Sequence, residues 1–157
     1  MNINFIDNYS NQLLLFDMDG VIAEYIAGEE SLIQNEIKGV YLNKRPMKSI
    51  IAIAEDLNKR DNITIGILSS CDFPSQVIEK KEWLKKHAPF VAEEQIYIVV
   101  WCNENYIKET RRYAKLDKIR NMSGFDKIFL IEDTHENIKA INEVLPNVAH
   151  HISELIE

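Results

Sequence analysis

The chain has 157 residues, 46% hydrophobic and 27% charged, which suits one soluble domain or one domain with a small insertion. Its formal charge of −7 argues against general attraction to a nucleic-acid backbone and leaves a local basic patch as the only route to such a partner. No apolar run approaches the ~20 residues of a membrane span. The first residues lack a signal-peptide pattern. Cys71 and Cys102 are too few for a disulfide framework or a zinc site. A reduced, cytoplasmic protein without a membrane partner is therefore expected.

In chain order, Leu13–Phe16 reads as a buried strand that runs straight into Asp17 and Asp19, with Gly20 next. Residues 22–45 follow this turn directly and fit no regular alternation, so they are expected to form a small cap-like insertion over it. Ile50, Ile51, Ala54 and Leu57 recur at helical spacing, with Pro46 just upstream. Ile63–Leu68 is the second strand, ending in Ser69-Ser70. Pro74 opens a second helix, with Val77, Ile78 and Leu84 on one side. Ile96–Trp101 is a third strand, whose end carries Trp101, Cys102 and Asn103. Ile107, Tyr113, Leu116 and Ile119 predict a third helix, closed near Gly124. Ile128–Ile131 is a fourth strand, ending in Glu132-Asp133. Ile138, Ile141, Val144 and Leu145 predict a fourth helix, stopped by Pro146, before a weaker strand at Val148–Ile152. Strand-helix alternation of this kind implies a mostly parallel, Rossmann-like α/β sheet with helices on both faces, as a single domain over residues 1–157.

In such a sheet, chemistry gathers at the carboxyl ends of the strands. Asp17 and Asp19, the hydroxyl of Ser69, the acids Glu132 and Asp133, and a lysine upstream would converge there. Oxygen-rich carboxylates suit Mg²⁺. A cation and an ammonium group offset phosphoryl charge, and a free carboxylate oxygen can attack phosphorus. Lys108, Lys115 and Lys118 share one predicted helix; Lys115 fits best on spacing and on its Lys-Leu-Asp-Lys-Ile context.

These motifs, in this order, resemble the haloacid dehalogenase (HAD) superfamily, dominated by Mg²⁺-dependent phosphatases. The matching residues are Asp17-Met18-Asp19-Gly20-Val21, then Ser69, Lys115 and Glu132-Asp133. Within it, Phe16-Asp17-Met18-Asp19-Gly20-Val21-Ile22-Ala23 is similar to the 5'(3')-deoxyribonucleotidase branch. So are Ile67-Leu68-Ser69-Ser70 and Lys81-x-Trp83-Leu84-x-x-His87-x-Pro89. Where that branch carries Asp-Asp, this chain has Glu132-Asp133. The resemblance implies a HAD-like core with a minimal cap. It implies Asp17 as nucleophile, and Asp19 as the acid that protonates the leaving oxygen and then the base that activates water. Mg²⁺ would be held by Asp17, the backbone carbonyl of Asp19, and Asp133, with Glu132 as a further group near the metal. Ser69 and Lys115 would bind the phosphoryl oxygens.

The implied activity is hydrolysis of a small phosphorylated metabolite such as a nucleoside monophosphate. Alternatives are a terminal phosphate on a polynucleotide or protein, and a non-catalytic binding module. Tyr25 and Tyr41, with Lys44 and Arg45, are candidate substrate contacts from the insertion. His135 follows Asp133 and is read as a helix-start residue; Asn137 either does the same or lines the site.

Overall fold

The computed structural model describes residues 3, 5–6, 9–102 and 106–156; Asn103 lies outside them. Five strands are described: β1 (Gln12–Phe16), β2 (Ile63–Cys71), β3 (Ile96–Val100), β4 (Lys127–Glu132) and β5 (Ala149–His151). They form one parallel sheet in the order β3-β2-β1-β4-β5. The fold is α/β. Strand β1 is central because all five of its residues are apolar or buried, which a strand covered on both faces requires.

Alternate residues feed two cores. Leu14, Phe16, Ile65, Ile67, Phe129 and Ile131 face one side. There they meet Ile50, Ala54 and Leu57 of α2 (Lys48–Leu57), and Trp83 and Leu84 of α3 (Pro74–His87). Leu13, Leu15, Leu68 and Leu130 face the other side. They pack on Leu116 and Ile119 of α4 (Ala114–Arg120) and on Ile141 of α5 (His135–Asn142). Each fully buried aliphatic side chain contributes ~1.5–3 kcal/mol, so the sheet is held from both faces.

Four local expectations change. Strand β2 continues to Cys71, so Ser69 and Ser70 are strand residues rather than a turn after it. Ile78 is 62% exposed; α3 instead turns Gln76, Lys80, Trp83 and Leu84 inward. Helix α4 starts only at Ala114, after a 3-10 turn at Arg111–Tyr113. Ile107, 63% exposed, and Lys108 therefore lie ahead of the helix, in the segment that leads into it.

Residues 22–45 hold one short helix, α1 (Glu30–Gln34), among turns. The segment is tied down on α3. Trp83 Nε1 donates to the Lys44 carbonyl at 2.8 Å, Gln76 Nε2 to the Ile33 carbonyl at 2.9 Å, and Glu79 accepts the backbone N–H groups of Gly39 and Tyr41. Among the described residues no helix is long and apolar enough to cross a membrane.

Candidate active site

The chain leaves β1 to build β2 and β3 on one side, then returns to build β4 and β5 on the other. Between β1 and β4 the strand order therefore reverses, and a crevice opens beyond their carboxyl ends. Asp17 follows β1 and Asp133 follows β4, so both acids stand at that reversal. Oxygens of Asp17, Glu132 and Asp133 lie within 4.8 Å of one another. The tight turn after β1 depends on Gly20. Its φ is +78°, and a Cβ there would lie 2.0 Å from Asp133 Oδ2. No other residue lets the Asp133 carboxylate sit so close to the loop.

Asp17 is 6% exposed. One oxygen accepts the Met18 N–H at 2.7 Å and the other faces Lys115 Nζ at 2.9 Å. Burial pushes its pKa up to about 6, against the pull of Lys115 and with the repulsion of Glu132 and Asp19. Lys115 is buried, yet Asp17 and Glu132 outweigh burial and hold it charged. Of the three candidate lysines, Lys115 is the one that reaches Asp17. Lys108 is at the cavity rim and Lys118 lines a separate hollow with Tyr97 and Asp117.

Glu132 is fully buried and all its hydrogen-bonding capacity is used. Oε1 accepts the N–H groups of Asp133 and Thr134, both at 3.1 Å. Oε2 accepts Lys115 Nζ at 2.5 Å and Asn137 Nδ2 at 3.2 Å. Such a carboxylate orients Lys115 and the turn after β4, whereas Asp17 and Asp133 keep lone pairs for a ligand. Of the two readings open for Asn137, the structure has it joined to the site through Glu132.

Asp19 is gripped by two lysines whose side chains are fully buried. Lys44 Nζ lies 2.7 Å from Oδ1 and Lys80 Nζ 2.6 Å from Oδ2. Burial disfavours the Asp19 carboxylate, but Lys80 and Lys44 together win and hold its pKa below the ordinary value. Lys80 also donates to the Ser69 hydroxyl at 2.9 Å, and Lys44 to Glu29 at 2.6 Å. The Tyr41 ring, 2% exposed, lies against both ammonium groups, 4.3 Å from Lys80 and 5.3 Å from Lys44. Lys80 was not among the residues singled out from the sequence. Its signal was the helical spacing Gln76, Lys80, Trp83, Leu84, which sets a lysine on the inward face of α3. Tyr25 is 54% exposed, lines the cavity, and donates its hydroxyl to Glu30. Arg45 points outward to Glu24, and Lys44 sits inside the cluster rather than on the surface of the insertion.

The residues present fit a divalent metal. Five carboxylates, Asp17, Asp19, Glu29, Glu132 and Asp133, face three ammonium groups, Lys44, Lys80 and Lys115, so negative charges exceed positive ones by two. The donors with free lone pairs are all oxygen, the choice of a hard cation. A cavity of about 720 Å³ opens over this cluster, with Ser69, Ser70, Tyr25 and Tyr41 in its walls.

No family profile and no curated protein sequence matches this chain. Solved structures do match its fold. A chain of the Pnkp1/Rnl/Hen1 RNA repair complex superposes with a TM-score of 0.65 at 10% identity, over 94% of this chain and 46% of that one. The present chain thus spans about half that protein's length. The HAD domain of the effector protein Lem4 from Legionella pneumophila gives 0.54 at 13% identity, over 90% of this chain and 84% of that one. The Legionella pneumophila effector Ceg4 gives 0.52 at 10% identity, over 94% and 87%. At such identities the likeness is one of fold.

Proposed function

We propose that this protein is a phosphomonoester hydrolase that works through an aspartyl-phosphate on Asp17. The observation that carries this reading is the Asp17 carboxylate itself. It is buried at the sheet's reversal point, fixed by a backbone amide and Lys115, and faces Asp133 across the crevice. The HAD-like fold supports the same reaction class. Mg²⁺ held by Asp17, Asp133 and the Asp19 carbonyl would neutralise phosphoryl charge and favour the ionised nucleophile.

In the first half-reaction an Asp17 oxygen forms a bond to phosphorus while the bond to the ester oxygen breaks. Lys115 and Ser69 hold the phosphoryl oxygens, and Lys115 offsets charge as it redistributes. The leaving oxygen needs a proton. Asp19, protonated in the substrate complex, delivers it and is left ionised between Lys44 and Lys80. In the second half Asp19, held ionised by Lys44 and Lys80, removes a proton from the attacking water, and phosphate leaves Asp17.

We further propose that the substrate is a nucleoside monophosphate or a related small metabolite, as the likeness to the 5'(3')-deoxyribonucleotidase branch suggests. The exposure of Tyr25 at the cavity wall supports a contact with its leaving group. Purified protein with Mg²⁺ should release inorganic phosphate from a panel of nucleotides, sugar phosphates and a chromogenic phosphate ester. Nucleotides should give the highest kcat/KM. No phosphate release from any ester would overturn the catalytic reading, and equal or better use of sugar phosphates would overturn the nucleotidase part alone.

A further inference from the structure

The cavity extends well beyond the catalytic acids. Its volume of about 720 Å³ lies within the ~300–1,000 Å³ range of small-molecule sites and exceeds what one phosphoryl group fills. The wall beyond β3 is chemically unlike the rest. It carries Trp101, Lys108, Arg111 and Arg112 with the acids Asp72 and Glu109 among them, whereas the insertion wall opposite carries Glu29 and Glu30 and no cation that is not already paired with a buried acid. In a chain of net charge −7 this is a local concentration of cations.

Arg111 is held in place rather than solvated. Its guanidinium lies 4.3 Å from the centre of the Trp101 ring, and Nη2 is 3.2 Å from Asp72 Oδ1. The wall nevertheless holds two unsatisfied donors. Arg111 Nε and Trp101 Nε1 are buried atoms without a hydrogen-bond partner. Buried N–H groups without acceptors are costly, by ~1–3 kcal/mol each, and mark places where an acceptor is missing. Arg112 is exposed, stacked 4.9 Å from the Tyr113 ring, and neither it nor Lys108 has a carboxylate partner among the described residues. Set against Asp72 and Glu109, the three cations leave this wall one positive charge in excess, and with two idle N–H donors that is more than a neutral sugar or base would use.

Building on the phosphatase reading, we propose that the substrate carries a second phosphate, which binds on the wall formed by Trp101, Arg111 and Arg112 while the first is attacked by Asp17. Arg111 then gives the phosphate a fork of donors already oriented by Asp72 and Trp101, so little side-chain freedom is lost on binding. Lys108 and Arg112 add charge at the rim. The second phosphate belongs either to a free nucleoside bisphosphate or to the first phosphodiester of a short chain end.

The test is binding, independent of turnover. The Asp17→Asn protein is titrated calorimetrically in Mg²⁺ with a nucleoside 5'-monophosphate, the matching 3',5'-bisphosphate, and a dinucleotide with a terminal phosphate. At least one of the two ligands with a second phosphate should bind ~10-fold or more tighter than the monophosphate, about the worth of one charge-assisted hydrogen bond. Arg111→Gln and Arg112→Gln, introduced separately into that protein, should each reduce the ratio, Arg111→Gln more strongly. Preference for the bisphosphate assigns the site to a free metabolite, and preference for the dinucleotide assigns it to a chain end. Equal affinities for all three, or a ratio unmoved by both substitutions, overturns the proposal. If Arg111→Gln does not fold, the exposed Arg112→Gln decides by the same ratio. Absence of phosphate release by the native protein would overturn the catalytic reading while leaving this ratio to be read on its own.

Discussion

Lys80 Nζ lies 2.6 Å from Asp19 Oδ2 and 2.9 Å from the Ser69 hydroxyl, so one buried lysine joins the proposed acid-base residue to the proposed phosphate-binding residue. With Lys44 on the other oxygen, Asp19 is enclosed between two cations. This arrangement favours the base half of the reaction, and in the acid half Asp19 must take up its proton against the pull of both lysines.

Lys80→Met should keep much of the packing of α3 but leave Asp19 and Ser69 without their shared partner. Removing one member of a buried ion pair costs about 3 kcal/mol or more. Urea unfolding should show that loss. Phosphate release should fall by ~10²-fold, the usual scale for disturbed acid-base catalysis. Wild-type rates in this variant would show that Lys80 serves only the fold.

Asp17→Asn should abolish phosphate release, since the proposed covalent route runs through its carboxylate. Its stability should be unchanged or higher without metal, because burial and two like charges already disfavour the Asp17 carboxylate. A large drop in the urea midpoint would contradict that account.

In metal-free protein Asp17 should titrate near the value of about 6 that burial sets, against 3.8 ordinarily. Its carboxyl carbon, followed by NMR, checks this, and Mg²⁺ should move the titration lower by favouring the ionised form. The folded state binds this proton more tightly than the unfolded chain. Asp17's contribution to stability should therefore fall as pH rises from about 4 to about 6. Asp19, depressed by its lysines, contributes with the opposite sign, and its contribution is lost only as pH falls below the ordinary carboxylate value.

Asp133→Ala should weaken Mg²⁺ binding by ~10-fold or more with a small effect on unfolding, because Asp133 is partly exposed. Glu132→Ala should do the reverse. It strips acceptors from Lys115, Asn137 and two backbone amides, and should cost about 3 kcal/mol or more. Mg²⁺ titration beside urea unfolding separates the two, and the opposite ranking would exchange their roles.

Gly20→Ala should also weaken Mg²⁺ binding. The new methyl group would push the Asp133 carboxylate out of its place, and the φ of +78° adds backbone strain. Wild-type Mg²⁺ affinity in this variant would show that Asp133 does not need its observed position.

The sequence by itself determined the sheet and the place of its chemistry. Leu13–Phe16 and Ile128–Ile131 are apolar on both faces, as only central parallel strands need be, and each ends in acids. Lys115 was legible through its spacing ahead of Glu132. What only the tertiary structure decided is the charge network. Lys80 and Asp19 are 61 residues apart, and a lysine on a helix reads as solvated until packing shows its ammonium group enclosed. Lys44 likewise turns inward only because Asp19 and Glu29 together compensate its burial. The position of Arg111 was hidden for the same reason: Asp72 and Trp101 meet it across the sheet's edge, and no local pattern records that meeting. Apolar periodicity is a property of neighbours along the chain, whereas the compensation of a buried charge is a property of whatever the fold brings beside it.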